Sequence, residues 1–168
     1  MNEQLLLELV ERMRNRFYGK YRGTVTEVNK DGRIKALVPG VLGDIATGWC
    51  MPCVPYAGHD RGVVFLPEKD AGVWIEFEGG DVSFPIWTGC YWHRDEMPDR
   101  VDVDVKVIKT DGKQLIVLDD KNHTIELTDS NDNHVTLDRN GVTTVRKNGK
   151  LAVTEDKVSA MDGGMEVV

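Results

Sequence analysis

Apolar and polar positions follow two different periods along this chain. Near the N-terminus Leu5, Leu6, Leu9, Val10 and Met13 recur at i, i+1, i+4, i+5 and i+8, which gathers them on one face of a helix. Arg12, Arg14 and Arg16 follow where the negative pole of that helix would lie, and Phe17-Tyr18-Gly19 supplies its stop. From there the period drops to two. Residues 24–28 and 34–38 alternate on either side of Lys30-Asp31-Gly32, which reads as a hairpin ended by Pro39-Gly40. Further short strands are predicted at 49–54, 63–66, 73–78 and 84–91, punctuated by Gly58, Gly62, Gly72, Gly79-Gly80 and Gly89. Short strands this dense in glycine predict a small closed barrel.

The polar stretch from His93 to Asp99 contains the last proline and marks a boundary. Beyond it, strand-like runs at 103–108, 115–118, 124–127, 135–137, 142–145 and 151–153 alternate with turns rich in Asp, Asn and Gly. The runs recur as a quasi-repeat. Within each, aliphatic residues alternate with Thr, Asp, Lys and Glu, so each strand has a dry face and a wet one.

Composition sharpens the division. All twelve aromatic residues lie between Phe17 and Trp92, and from Asp99 to Val168 there is no aromatic, proline or cysteine. A segment of that size, lacking large aromatic side chains, has a thin apolar stripe that would face water in a lone chain. Burial against copies of itself, in an elongated and intertwined β structure, resolves this and pairs the strand edges. The residues predicted for that interior are Val105, Val107, Leu115, Val117, Ile125, Leu127, Val135, Leu137 and Val145.

Several classes are excluded. No apolar run approaches the roughly 20 residues of a membrane span, and Glu3, Glu8 and Glu11 interrupt the N-terminal apolar residues that a secretory leader would need. Three cysteines do not make a disulfide framework, which fits a reducing compartment. Net charge is -7, and both halves are acidic, which argues against nucleic acid as a specific ligand. Trp49-Cys50-Met51-Pro52-Cys53 spells a thioredoxin-like centre, but Val54-Pro55-Tyr56-Ala57-Gly58 cannot continue as the helix that would activate Cys50. His59, His93, His123 and His134 show no metal-binding spacing, and no nucleophile-elbow or phosphate-loop motif occurs. No catalytic residue, cofactor or metal is expected, and the chain is read as a non-enzyme.

One longer pattern is more specific. Trp49, then Pro55-Tyr56-Ala57-Gly58, Phe65-Leu66-Pro67-Glu68, Gly72-Val73-Trp74-Ile75-Glu76-Phe77-Glu78-Gly79-Gly80-Asp81 and Pro85-Ile86-Trp87-Thr88-Gly89 follow in order. With the hairpin around Asp31-Gly32-Arg33, this resembles the OB-fold domain of central spike proteins from phage baseplates and VgrG-type contractile injection systems, over about residues 20–92. The resemblance implies a mainly β protein: a helix at 1–18, an OB domain at 19–93, a linker at 94–102, and at 103–168 an intertwined trimeric β-helix or β-prism. It implies a homotrimeric structural spike in a virion tail or injection particle, assembled in the bacterial cytoplasm and driven into a target cell envelope. Leu5, Leu6, Leu9, Val10 and Met13 become the element that docks on baseplate hub proteins below the tail tube. The apolar end, residues 161–168, becomes a cap or a seat for a separate tip protein. The alternative is an OB-fold nucleic-acid-binding protein.

Overall fold

Alternating burial shows how the first sheet is made. Val25 in β1 (Tyr21–Val28), and Ile34 and Ala36 in β2 (Ile34–Leu37), are fully buried, while their neighbours in sequence are not. The two strands form the expected hairpin, with Val25 opposite Ala36 and a bulge between Val25 and Glu27. Asn29 caps its turn by accepting the N–H groups of Asp31 and Arg33 on its side-chain oxygen. A computed structural model of the chain describes residues 3–161 and 164–167. It divides into two compact units, Met1–Met97 and Pro98–Val168, so the stretch read as a linker is shared between them.

In the first unit a helix, α1 (Glu3–Arg14), precedes the sheet. Pro39-Gly40, expected only to end the hairpin, instead opens a short helix α2 (Pro39–Leu42), because proline fits the first turn, where no N–H is required. The segment expected as a strand at 49–54 narrows to β3 (Met51–Pro52). Residues 63–66 are not a strand; the pairing nearby is a two-by-two hairpin of β4 (Ala57–Gly58) and β5 (Arg61–Gly62). β6 (Gly72–Phe77) and β7 (Pro85–Tyr91) match the expected strands. The sheet order is β2-β1-β6-β7-β3. A bridge between Ile34 and Cys50 then brings the residue before β3 back to β2, so the sheet curls onto itself as an OB-type sheet.

The interior of that curl holds Val25, Ile34, Ala36, Val38, Cys50, Val73, Ile75, Phe77 and Trp87. Two polar groups inside it are satisfied. The Thr47 hydroxyl accepts the Ala36 N–H at 3.0 Å, and the Trp87 indole N–H donates to the Gly32 carbonyl at 3.1 Å.

The second unit is one antiparallel sheet. Its strands are β8 (Val105–Lys109), β9 (Leu115–Asp119), β10 (Thr124–Thr128), β11 (Asn133–Asp138), β12 (Gly141–Arg146), β13 (Gly149–Val153), β14 (Val158–Ala160) and β15 (Met165–Val167). Each pairs with its sequence neighbour. The ladders seen here are therefore not the intertwined ones expected from the sequence: β9 to β14 have both edges filled from their own chain, and among the described residues β8 and β15 are the outer strands. β14 lies where no strand was expected, and β15 falls within the apolar end at 161–168; Asp162, Gly163 and Val168 of that end lie outside the described residues.

Candidate functional site

With strand pairing supplied within the chain, the faces of the second sheet become its decisive feature. Residues opposite one another in an antiparallel ladder share a face. Following the register across the sheet, Leu118, Ile125, Leu137, Val142, Val153, Val158 and Val167 form one continuous row. A second row on the same face runs through Ile108, Ile116, Leu127, Val135, Thr144, Leu151, Ala160 and Met165. Thr144 is the one polar side chain in these rows from β9 onward, and at β8 the ladder partner of Leu118 is Lys106. At roughly 4.8 Å per strand, the seven steps across the sheet give an apolar band about 34 Å long. Among the described residues of the second unit nothing covers it: Leu118 and Leu127 are 42% and 41% exposed.

The opposite face carries Thr124, Glu126 and Thr128 in β10, Thr136 in β11 and Thr143 in β12. The nine residues predicted for a common interior are divided between the two faces. Ile125, Leu127, Val135 and Leu137 lie on the apolar face; Val105, Val107, Leu115, Val117 and Val145 lie on the other. All nine are odd-numbered, and turns of different length between strands change which parity faces which way. Seven further members of the apolar face from β12 onward (Val142, Leu151, Val153, Val158, Ala160, Met165 and Val167) lie outside those nine positions.

Turns in this sheet are tied by carboxylates. Asp129 accepts both the backbone and side-chain N–H groups of Asn131 and Asn133, and Asp119 does the same for Asn122. Those donors, with the Asn133 side chain the strongest, hold the Asp129 carboxyl far below the usual carboxylate range. The Asn122 backbone N–H does likewise for Asp119.

In the first unit the predicted docking residues Leu5, Leu6, Leu9, Val10 and Met13 all fall within α1 and are all exposed. The root of the helix is fixed. The Phe17 N–H donates to the Gly80 carbonyl at 2.8 Å, Arg16 pairs with Asp81 at 3.1 Å, and the Phe17 ring packs edge-on against Tyr21 and Phe77. Gly80 sits at φ +76°, and a Cβ there would press on the Phe17 nitrogen at 3.1 Å. Glycine is what allows this close approach. A second exposed apolar region surrounds a groove of about 340 Å³, whose walls include Val54, Tyr56, Val64, Phe65 and Trp87.

The three thiols differ in their surroundings. Cys50 is buried, and burial pushes its thiol up; Cys53 and Cys90 are exposed. Among the described residues no three His, Cys, Asp or Glu side chains are grouped to hold a metal. The Arg22 guanidinium lies 5.7 Å from the ring centres of both Trp74 and Tyr91, so that aromatic surface already stacks on a cation of its own chain. No helix among the described residues is long and apolar enough to cross a membrane.

Residues 21–92 match the family model described as the type VI secretion system/phage-baseplate injector OB domain. That span begins with β1 and ends one residue past β7, so it coincides with the curled sheet. None of the curated proteins matches the chain. The curled sheet is thus similar to the injector OB domain of phage baseplates and type VI secretion systems.

Proposed function

We propose that this chain is the central spike of a contractile phage tail baseplate or a related injection system, working as a homotrimer. The observation that carries this reading is the uncovered apolar band on one face of the second sheet. Three copies placed with that face inward would form a three-sided prism with a dry interior and a wall of Thr, Glu, Asp and Lys. Its stiffness would come from the intrachain ladders within each wall and from apolar packing between walls. Driven by sheath contraction, such a needle would pierce the target cell envelope.

The OB domain would seat the spike on the baseplate, with the exposed face of α1 docking on hub proteins below the tail tube. The strand β15 and the residues beyond it would form the far end, available to a separate tip protein. Assembly would take place in the bacterial cytoplasm, and no step requires a cofactor.

Light scattering after size exclusion tests the reading directly. The expected mass is that of three chains; a folded monomer at micromolar concentration would sink it. Deleting residues 1–14 should leave the trimer intact and abolish co-assembly with isolated baseplate hub, whereas retained co-assembly would place docking elsewhere.

A further inference from the structure

The first two strands of the second sheet carry aliphatic side chains on both faces, with Lys106 on one and Lys109 on the other. β8 and β9 present Val105, Val107, Leu115 and Val117 to one side, and Ile108, Ile116 and Leu118 to the other. By pattern alone this end of the sheet could turn either face inward, and a strand has no other means of choosing. Yet Val117 is fully buried, at 0% exposure, on a face that beyond it carries mostly polar side chains such as Glu126, Thr136 and Thr143, with Val145 and Ala152 among them.

The segment 98–104 is tied to that face. It lies within the second unit, and two of its side chains land on the face that holds Val117. Arg100 makes a two-pronged pair with Glu126, at 2.9 and 3.0 Å, and Glu126 is the direct cross-strand neighbour of Val117. Asp99 reaches Lys109 at 3.4 Å. The segment then turns back through the Asp102–Val105 bridge, and the Asp104 carbonyl accepts the Asp120 N–H at 2.9 Å. Arg100 has φ +66°, a conformation that a non-glycine residue keeps only where its surroundings impose it.

We propose that residues 98–104 form an ionic clasp that closes the second apolar face of β8 and β9, leaving one face of the sheet free for assembly. This rests on the reading of the uncovered band as an interface between copies. The clasp acts against an alternative, since a strand pair with two dry faces invites inverted or doubled association. A clasp built into the same chain removes that choice before a partner arrives.

The test uses the full chain with Cys53→Ser and Cys90→Ser, so that only buried Cys50 remains, and adds Val117→Cys as a probe. Its thiol labelling should be slow compared with His134→Cys, which lies on the same face beyond the clasp. Arg100→Glu should speed labelling at position 117 roughly five-fold or more, the scale of losing a charge pair at a partly exposed site. It should also turn a uniform assembly into a mixture of masses. The charge swap Arg100→Glu with Glu126→Arg should restore most of the protection. Equal labelling of the two probes, or no response to Arg100→Glu, would overturn the clasp. Faster labelling with the assembly still uniform would overturn its role in choosing the face. Hydrogen exchange over 105–119 in the chain without the cysteine probe checks that Arg100→Glu has not unfolded the sheet. Light scattering of the wild-type chain separates the two readings: a monomer that keeps position 117 protected retains the covering and loses only the assembly.

Discussion

Thr47 shows how much a single side chain can decide without leaving a trace in the sequence pattern. It is the one buried polar residue among those of the first unit's interior, and its hydroxyl receives the N–H of Ala36 in β2. Thr47→Val keeps the shape and removes the acceptor, leaving a buried N–H without a partner. The expected loss is about 1–3 kcal/mol, read from denaturant unfolding followed at Trp87. No motif marks Thr47, because its partner lies eleven positions away and is set by the curl of the sheet. Asp129 is the opposite case, since Asp-x-Asn-x-Asn announces a turn on sight. Its carboxyl, with that of Asp119, is held below the ordinary range by Asn N–H donors. A lowered folded value means the charged form is preferred on folding. The stabilisation is therefore complete above the unfolded value, near pH 4, and is lost as pH falls through the lower folded values. Melting of the second unit should drop between neutral pH and pH 2, and Asp129→Ala should lower the melt at neutral pH while flattening that dependence.

At the level of elements, the alternation within each strand was legible and the relation between strands was not. Residues 124–127 read as one dry and one wet side, and β10 is built that way. Whether Ile125 shares a face with Val117 or with Leu118 depends on the turn at 120–123, and the register pairs it with Leu118. One residue in that turn inverts the answer, and hydrophobicity does not report it when β9 is apolar at four successive positions. The same limit explains residues 63–66: Val63-Val64-Phe65-Leu66 has strand-like composition, but no ladder forms there beyond the Val63 N–H on the Tyr56 carbonyl, and all four residues are exposed. Adjacent positions in β11 give a sharp check on the faces. Leu137→Asp places a carboxylate in the apolar band, where burial of an unpaired charge is prohibitive, so the chain should elute as a monomer. Thr136→Asp, one residue earlier on the outer face, should leave the assembled mass unchanged. The reverse result would mean that the outer face is the one that copies share.

For the whole molecule, the confinement of aromatic residues to positions 17–92 separates two ways of being stable. The first unit buries Phe77 and Trp87 inside its own chain and needs no partner for that core. The second has Val117 as its only fully buried apolar side chain among the described residues, and its larger apolar surface faces outward. A sheet of this kind gains most of its burial when copies meet, so its stability must depend on how much protein is present. Calorimetry should therefore resolve two transitions. Diluting the protein about 100-fold should lower the melting of the second unit by mass action and leave that of the OB domain where it was. Fluorescence assigns the transitions without a tag, because every tryptophan lies in the first unit and the concentration-dependent transition should be silent to it. If both transitions ignore dilution, the second sheet is stable alone, and the apolar band needs an occupant other than its own copies.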